Sequence, residues 1–183
     1  RAVAGVLSGK RTGPVVLDPV MVAKGGAALL SADAVEALTT RLLPLAALLT
    51  PNLPEAAALL GEPVAADRAG MAAQATRLLA LGPAAVLVKG GHLGGEGSPD
   101  VLATTDGLEW FEAERVATAN THGTGCTLSS AIAAELAKGA STRAAVAAAK
   151  TYLAEAIAAA DRLSVGSGHG PVHHFQALWR EDR

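Results

Sequence analysis

The chain has 183 residues, a net charge of −2, a hydrophobic half almost free of aromatics, and one cysteine. That length suits a single domain with a core of Ala, Leu and Val. The charge gives no electrostatic footprint for nucleic acid, and one cysteine excludes an internal disulfide and fits a reducing, cytoplasmic setting. No apolar run is long enough to span a bilayer, and no signal-peptide pattern is present.

Residues 1–10 read as the end of a helix with Val3, Val6 and Leu7 on one face. Gly13-Pro14 breaks it, and Val15-Val16-Leu17 reads as a short buried strand. Asp18-Pro19 ends that strand. Pro19 has no N–H for a ladder, so Asp18 is expected at the C-terminal edge, where ligands bind in open α/β sheets. Taken alone, a turn-forming role is the better explanation of Asp18. Ser31 caps a predicted helix running to Leu42, with Val35, Leu38 and Leu42 facing the core and Pro44 as the stop. Ala46 to Thr50 is the next buried strand, and a short helix then runs to Gly61 with Asn52, Pro54 and Glu55 at its start. Capping accounts for Asn52, and the helix dipole for Glu55.

Gly70 to Leu81 is a further amphipathic helix, closed by Gly82-Pro83. Ala84 to Val88 is a strand ending in Lys89-Gly90-Gly91-His92, and a flexible loop spans Gly94 to Pro99. A lysine at a strand end beside two glycines suits a phosphate clamp, although a solvated surface lysine is the default reading. Residues 101–105 and 108–116 form a predicted hairpin around Asp106-Gly107, with Trp110 and Val116 facing the core and Glu109 and Arg115 facing water.

The most informative stretch is TANTHGTGCTLSS, Thr118 to Ser130. Thr121, His122, Gly123, Thr124 and Gly125 precede an alanine-rich helix predicted from Cys126 to Lys138 and stopped at Gly139. Glycines there let backbone N–H groups point into one concavity, and the first turn adds free donors and the positive end of the dipole. An anion, most often phosphate, suits such a site; an ordinary turn is the alternative. Cys126 stands at the helix start, the electrostatic setting in which thiols become reactive, although a lone cysteine also serves as inert packing. The glycines are not followed by the Lys-Ser/Thr of a nucleotide-binding loop, and Leu128 replaces the third glycine of a dinucleotide fingerprint. Residues 141–162 are a second alanine-rich helix begun by Ser141. The tail histidines His169, His173 and His174 lack the cysteine or acidic company expected of a zinc site. Strand–helix alternation gives an α/β domain with a largely parallel sheet and one antiparallel hairpin.

Four segments taken together carry a resemblance. They are Asp18-Pro-Val-Met-Val-Ala-Lys, Thr50-Pro-Asn-Leu-Pro-Glu-Ala, Val86-Leu-Val-Lys-Gly-Gly-His and Thr121-His-Gly-Thr-Gly-Cys-Thr-Leu-Ser-Ser. In this order, with the tail Gly-His-Gly-Pro-Val-His-His, they closely resemble the hydroxymethylpyrimidine/phosphomethylpyrimidine kinases of thiamine biosynthesis, in the ribokinase-like superfamily. The resemblance implies a three-layer α/β fold with a mostly parallel sheet between helices. It also implies ATP-dependent phosphorylation of 4-amino-5-hydroxymethyl-2-methylpyrimidine and then of its monophosphate.

By the same resemblance ATP and Mg²⁺ are the cofactors. Thr121 and Thr124 with the Gly123–Gly125 loop serve the ATP phosphates, Gly123 and Gly125 also counting as catalytic, and Lys89 lies near those phosphates. Asn52 and Glu55 match an N-x-x-E pattern associated with Mg²⁺, with Glu55 as the metal-side carboxylate. Asp18 and Val20 sit beside the pyrimidine, and Cys126 stands where many relatives place an aspartate as catalytic base, also against the substrate. The implied protein is a cytoplasmic homodimer with small-molecule partners and without nucleic acid or membrane. The family's glycine-rich first strand–turn–helix has no match here, so residues 1–183 read as the C-terminal two-thirds of a single kinase domain whose first strands lie upstream. A pyridoxal kinase of the same superfamily is the nearest rival. It usually carries Gly-Asp after Asp-Pro-Val-Met, where this chain has Val22-Ala23. A truncated, non-catalytic nucleotide-binding or interaction module is the alternative from another class.

Overall fold

The computed structural model describes residues 1–9, 13–21, 29–91, 93–95 and 97–179. The expectations placed on Val22, Ala23 and His92 therefore lie outside the described residues. The chain forms two compact units, Arg1–Glu112 and Ala113–Arg183, each with its own packing.

The first unit is built on a five-stranded sheet of order β1-β2-β3-β4-β5. Strands β1 (Val16–Leu17), β2 (Leu48–Leu49) and β3 (Val86–Lys89) run parallel, and β4 (Asp100–Thr104) and β5 (Gly107–Phe111) continue antiparallel. This is the parallel sheet plus hairpin read from the sequence. Strand β2 is fully buried, as is β3 until Lys89, the pattern of strands covered on both faces. Strand β1 is only half-buried, less than expected. The hairpin turns at Thr105-Asp106, one residue earlier than read, because Thr104 already pairs with Gly107. Strand β5 stops at Phe111, which leaves Val116 exposed instead of in the core. Trp110 does pack against the core, and the Arg68 guanidinium lies 4.0 Å from its ring centroid.

Helices α3 (Leu53–Leu60) and α4 (Arg68–Leu79) pack together and on the sheet, enclosing Leu53, Ala56, Met71, Ala75 and Leu78 against Leu49, Val86, Val88 and Val101. Each fully buried Leu or Val contributes roughly 1.5–3 kcal/mol of transfer free energy. The α4 start lies two residues before Gly70 because Asp67 caps it, its carboxylate accepting the Gly70 N–H at 2.7 Å.

Two helical readings need correction. In α1 (Ala2–Gly9) Val3 is 60% and Val6 71% exposed, so the apolar face read on Val3, Val6 and Leu7 is open to solvent at those two valines; Ala4 is the buried residue. The helix begun at residue 32 is α2 (Ala32–Ala37), which passes into a wide π-type turn, Leu38–Leu42, and a 3₁₀ turn, Leu43–Leu45, containing Pro44. Thr39 and Thr40 hydroxyls donate back to the Val35 and Glu36 carbonyls at 3.0 and 2.8 Å, competition that bends helices. Ser31 makes no side-chain cap; its hydroxyl donates to Asp33 instead.

One glycine holds the end of β3. A Cβ on Gly90 would lie 1.8 Å from the Pro99 carbonyl oxygen, and the Gly90 N–H donates to buried Asp100 at 2.9 Å. Gly90→Ala is expected to lower stability by about 1–3 kcal/mol, the usual cost of overpacking against a backbone that cannot retreat. Urea denaturation checks it, and an unchanged midpoint would mean that the Pro99 peptide gives way freely.

The second unit is a helical hairpin, α5 (Thr124–Ala137) and α6 (Thr142–Ala158), followed by a 3₁₀ turn, Ala160–Arg162, and the tail. Ser141 caps α6 as expected, accepting the Ala144 N–H. The α6 end falls four residues short of the reading to 162, the last turn tightening to 3₁₀. Among the described residues no helix is long and apolar enough to cross a membrane.

Candidate functional site

Parallel strands send their C-terminal ends to one edge, so residues following β1, β2 and β3 are brought together although far apart in sequence. Asp18 follows β1, Thr50 and Asn52 follow β2, and Lys89 ends β3. The Lys89 ammonium lies 2.8 Å from Asp18 Oδ1, with the two side chains only 14% and 13% exposed. The Thr50 hydroxyl lies 3.1 Å from the same Asp18 oxygen. The Lys89 backbone N–H donates to the Pro51 carbonyl at 2.8 Å, and Asn52 bridges to Lys89, so β3 braces the loop after β2. Lys89 is thus neither solvated nor free: it neutralises Asp18 in a sheltered setting. Val20 lies beyond, exposed, its N–H turned back to the Asp18 carbonyl.

Asn52 and Glu55 form a reciprocal capping box at the start of α3. The Asn52 side chain accepts the Glu55 N–H and Glu55 Oε2 accepts the Asn52 N–H, both at 2.8 Å. Capping therefore accounts for Asn52 and for one Glu55 oxygen. Glu55 is also buried, which capping alone does not require. Burial pushes its carboxyl above the usual 4.5, aided by the negative charge of Asp18 and opposed by the Asn52 and Met21 amides and by Lys89. A carboxyl with a raised folded-state pKa binds its proton more tightly folded than unfolded. Its contribution to stability therefore falls as pH rises from about 4.5 through the raised value. Glu55→Gln keeps an oxygen for the Asn52 N–H and cannot ionise. The stability of wild type relative to Glu55→Gln is expected to decline from pH 4.5 to neutral in a series of urea titrations. A constant difference would show that Glu55 ionises as freely folded as unfolded.

In the second unit, Gly123 is the N-cap of α5 at φ +81°, a left-handed conformation that glycine adopts without strain. The helix starts at Thr124, two residues before the predicted Cys126, so Gly125 and Cys126 both lie in its first turn. The Thr124 hydroxyl donates to the Thr121 carbonyl at 2.7 Å, folding the loop onto itself. The first N–H to find a helical partner is that of Thr127, on the Gly123 carbonyl at 2.8 Å; the Thr124 N–H turns back to the Thr121 carbonyl at 3.5 Å, and the Gly125 and Cys126 amides are left as donors for a ligand. Cys126 is exposed, so core packing does not explain it. It lies with Gly123 at one end of a groove of about 660 Å³ between α5 and α6, which also includes Thr127, Tyr152 and His174.

Several contributors escaped sequence reasoning. Thr50 stood inside a quoted motif without a role, and buried Asp100, which fixes the amide after Lys89, carried no signal. Thr118 and Asn120 both bond Asp161, at 2.9 Å for the Asn120 amide, while Asn120 also accepts the Gly170 N–H at 2.9 Å. His122 N–H donates to the Gly170 carbonyl at 3.1 Å. The segment before the glycine loop is thereby tied to the tail, and the run of Asn and Thr was the available hint. Among the described residues no group of three or more His, Cys, Asp or Glu side chains is placed to hold a metal.

Residues 1–173 match a family model described as phosphomethylpyrimidine kinase. The chain is 56% identical to the hydroxymethylpyrimidine/phosphomethylpyrimidine kinase of Rhizobium meliloti, over 94% of this chain and 64% of that protein. Among solved structures it is similar to the pyridoxal kinase of Staphylococcus aureus in complex with AMP-PCP and pyridoxal, with a TM-score of 0.87 and 30% identity, covering 97% of this chain and 63% of that one. It is also similar to the phosphomethylpyrimidine kinase of Clostridium difficile, with a TM-score of 0.72 and 38% identity, covering 85% and 62%. The fold is ribokinase-like, and the chain spans a little under two thirds of the Rhizobium protein's length.

Proposed function

The chain belongs to the phosphomethylpyrimidine kinase family, and from that premise we propose that the protein carrying it transfers phosphate from ATP to 4-amino-5-hydroxymethyl-2-methylpyrimidine and then to its monophosphate, in thiamine biosynthesis. The observation that carries this reading is identity above one half, 56%, over 94% of the chain to a protein so named. Residues 1–183 are taken as part of a single kinase domain of a cytoplasmic homodimer.

The residues divide the work as follows. The substrate hydroxyl oxygen forms a bond to the γ-phosphorus as the bond from that phosphorus to the ADP oxygen breaks. Such a reaction needs positioning and dispersal of charge more than covalent help. Amides of the α5 first turn, with Thr121 and Thr124, hold phosphate oxygens in the Gly123–Gly125 loop, and Lys89 contributes positive charge. Asp18 and Val20 orient the pyrimidine, and Asp18 keeps Lys89 in place. Cys126, as thiolate, accepts the hydroxymethyl proton.

Mg²⁺ favours oxygen ligands and one or two protein carboxylates beside phosphate. Glu55 fits this requirement as a buried carboxylate, its Oε2 accepting the Asn52 N–H and its charged form supported also by the Met21 amide. Bound Mg²⁺ supplies neutralisation of phosphate charge. Asn52 fixes the Glu55 backbone and thereby the aim of that carboxylate.

A second reading, a pyridoxal kinase, is favoured by the TM-score of 0.87 to the Staphylococcus aureus enzyme. Shape does not separate two enzymes of one fold, whereas 56% against 30% identity does, and the pyrimidine reading is preferred. The test is product analysis with the complete protein, ATP, Mg²⁺ and either the hydroxymethylpyrimidine or pyridoxal. Monophosphate followed by diphosphate of the pyrimidine is expected. Phosphorylation of pyridoxal alone would overturn the assignment, and no transfer to either would leave a nucleotide-binding module.

A further inference from the structure

The tail residue His174 reaches the glycine loop through an unassigned relay. Its Nε2 lies 3.0 Å from the Thr127 hydroxyl, and that hydroxyl donates to the Gly123 carbonyl at 2.8 Å. Since the Thr127 proton goes to Gly123, the hydroxyl accepts from His174, which places a proton on Nε2. Thr127 is buried on the first turn of α5, whereas His174 is exposed and shares the α5–α6 groove with it. His174 is held from its other side as well. The Tyr152 hydroxyl on α6 donates to the His174 carbonyl at 2.9 Å, and the neighbouring His173 N–H donates to Ala156 at 2.9 Å.

The relay ends at a consequential atom. Gly123 lacks a side-chain cap and takes a φ that glycine alone holds easily, so little else in the residue fixes its peptide plane. Its carbonyl accepts both the N–H and the hydroxyl of Thr127. A trans peptide is planar, with C=O and the following N–H pointing opposite ways. Fixing the Gly123 carbonyl toward Thr127 therefore fixes the Thr124 N–H as well, which points back to the Thr121 carbonyl at 3.5 Å and closes the loop onto the first turn of α5.

We propose that His174 is a positioning residue for phosphoryl transfer, acting through Thr127 to lock the Gly123–Thr124 peptide and with it the first turn of α5, whose Gly125 and Cys126 amides face the transferred phosphate. The inference rests on the kinase reading above. An amide aimed at charge that grows in the transition state affects kcat more than ATP binding.

The test uses the complete protein with His174→Ala, His174→Gln, Thr127→Val and the double variant His174→Ala/Thr127→Val. Expected is a fall in kcat of about tenfold for His174→Ala with KM for ATP within about twofold, as modest misplacement produces. His174→Gln, which can donate from its amide, should recover most of that loss. The double variant should be no slower than the worse single one, since both break one relay. Amide hydrogen exchange at residues 124–127 should quicken in His174→Ala and not in His174→Gln, a readout independent of turnover. A wild-type protein without kinase activity overturns the functional reading, and exchange then decides the relay. A kcat within twofold of wild type for His174→Ala, additive effects in the double variant, or unchanged exchange each overturn the role of His174.

Discussion

Replacing Lys89 by Met is expected to reduce kcat/KM for ATP by about 10²–10³-fold, the usual loss when one preorganised positive contact to developing charge is removed. The same change should weaken the fold. Lys89 and Asp18 are paired at 2.8 Å with both side chains largely buried, and removing one partner of such a pair costs about 3–5 kcal/mol because the other charge is left without compensation. The two effects separate in one further variant. Adding Asp18→Asn to Lys89→Met removes the orphaned charge while leaving an oxygen for the Thr50 hydroxyl, so most of the lost stability should return. Catalysis should not return, because the ammonium is still missing. Thermal melting and ATP-saturation kinetics on the three proteins decide it. If activity recovered together with stability, Lys89 would be a structural partner of Asp18 and nothing more.

That pair marks how far the sequence could be read. The strand ends were visible in it: short Val/Leu runs stopped by Asp18-Pro19, Thr50-Pro51 and Lys89-Gly90 announce three strands and the edge they share, although β1 proved only half-buried. Local signals of this kind persist because Pro and Gly restrict the backbone wherever they stand. What the ends do to one another was not visible. A lysine 71 residues from its aspartate carries no mark of the partner, so a solvated surface lysine stayed the default reading of Lys89, ahead of the phosphate clamp, until the ion pair appeared. Glu55 is a parallel case. Its capping box follows from spacing, but its burial, and with it the raised carboxyl, depends on β1 and β3 arriving from elsewhere.

The misread elements failed for physical reasons of the same kind. Val3 and Val6 have the spacing of a core face, yet spacing identifies a stripe without supplying a neighbour to cover it. The helix predicted to Leu42 had the right period, but two consecutive threonines could bond backward to their own carbonyls and widen the turn. His174 was weighed as a metal ligand because histidines cluster in the tail. Its observed partner, Thr127, lies 47 residues away on another element.

The largest effect should come from Cys126. If its thiolate takes the hydroxymethyl proton, Cys126→Ala in the complete protein is expected to lower kcat by about 10²–10⁴-fold, the typical loss of a general base, with little change in ATP affinity. The structure removes the usual confusion with packing. Cys126 is exposed and lines the α5–α6 groove, so shortening it to Ala leaves no buried cavity and should change stability by no more than about 0.5 kcal/mol, as surface substitutions do. A fall in rate per folded molecule is then chemical in origin. A second handle is the replacement Cys126→Asp, which should restore part of the rate by returning a base to the position. The position favours such a replacement, because the first turn of α5 stabilises either anion through the same dipole and amides. A Cys126→Ala enzyme retaining kcat within about threefold of wild type, far short of the general-base loss, would take Cys126 out of the mechanism. Proton removal would then be left to solvent, and catalysis to the aim of the amides in the glycine loop.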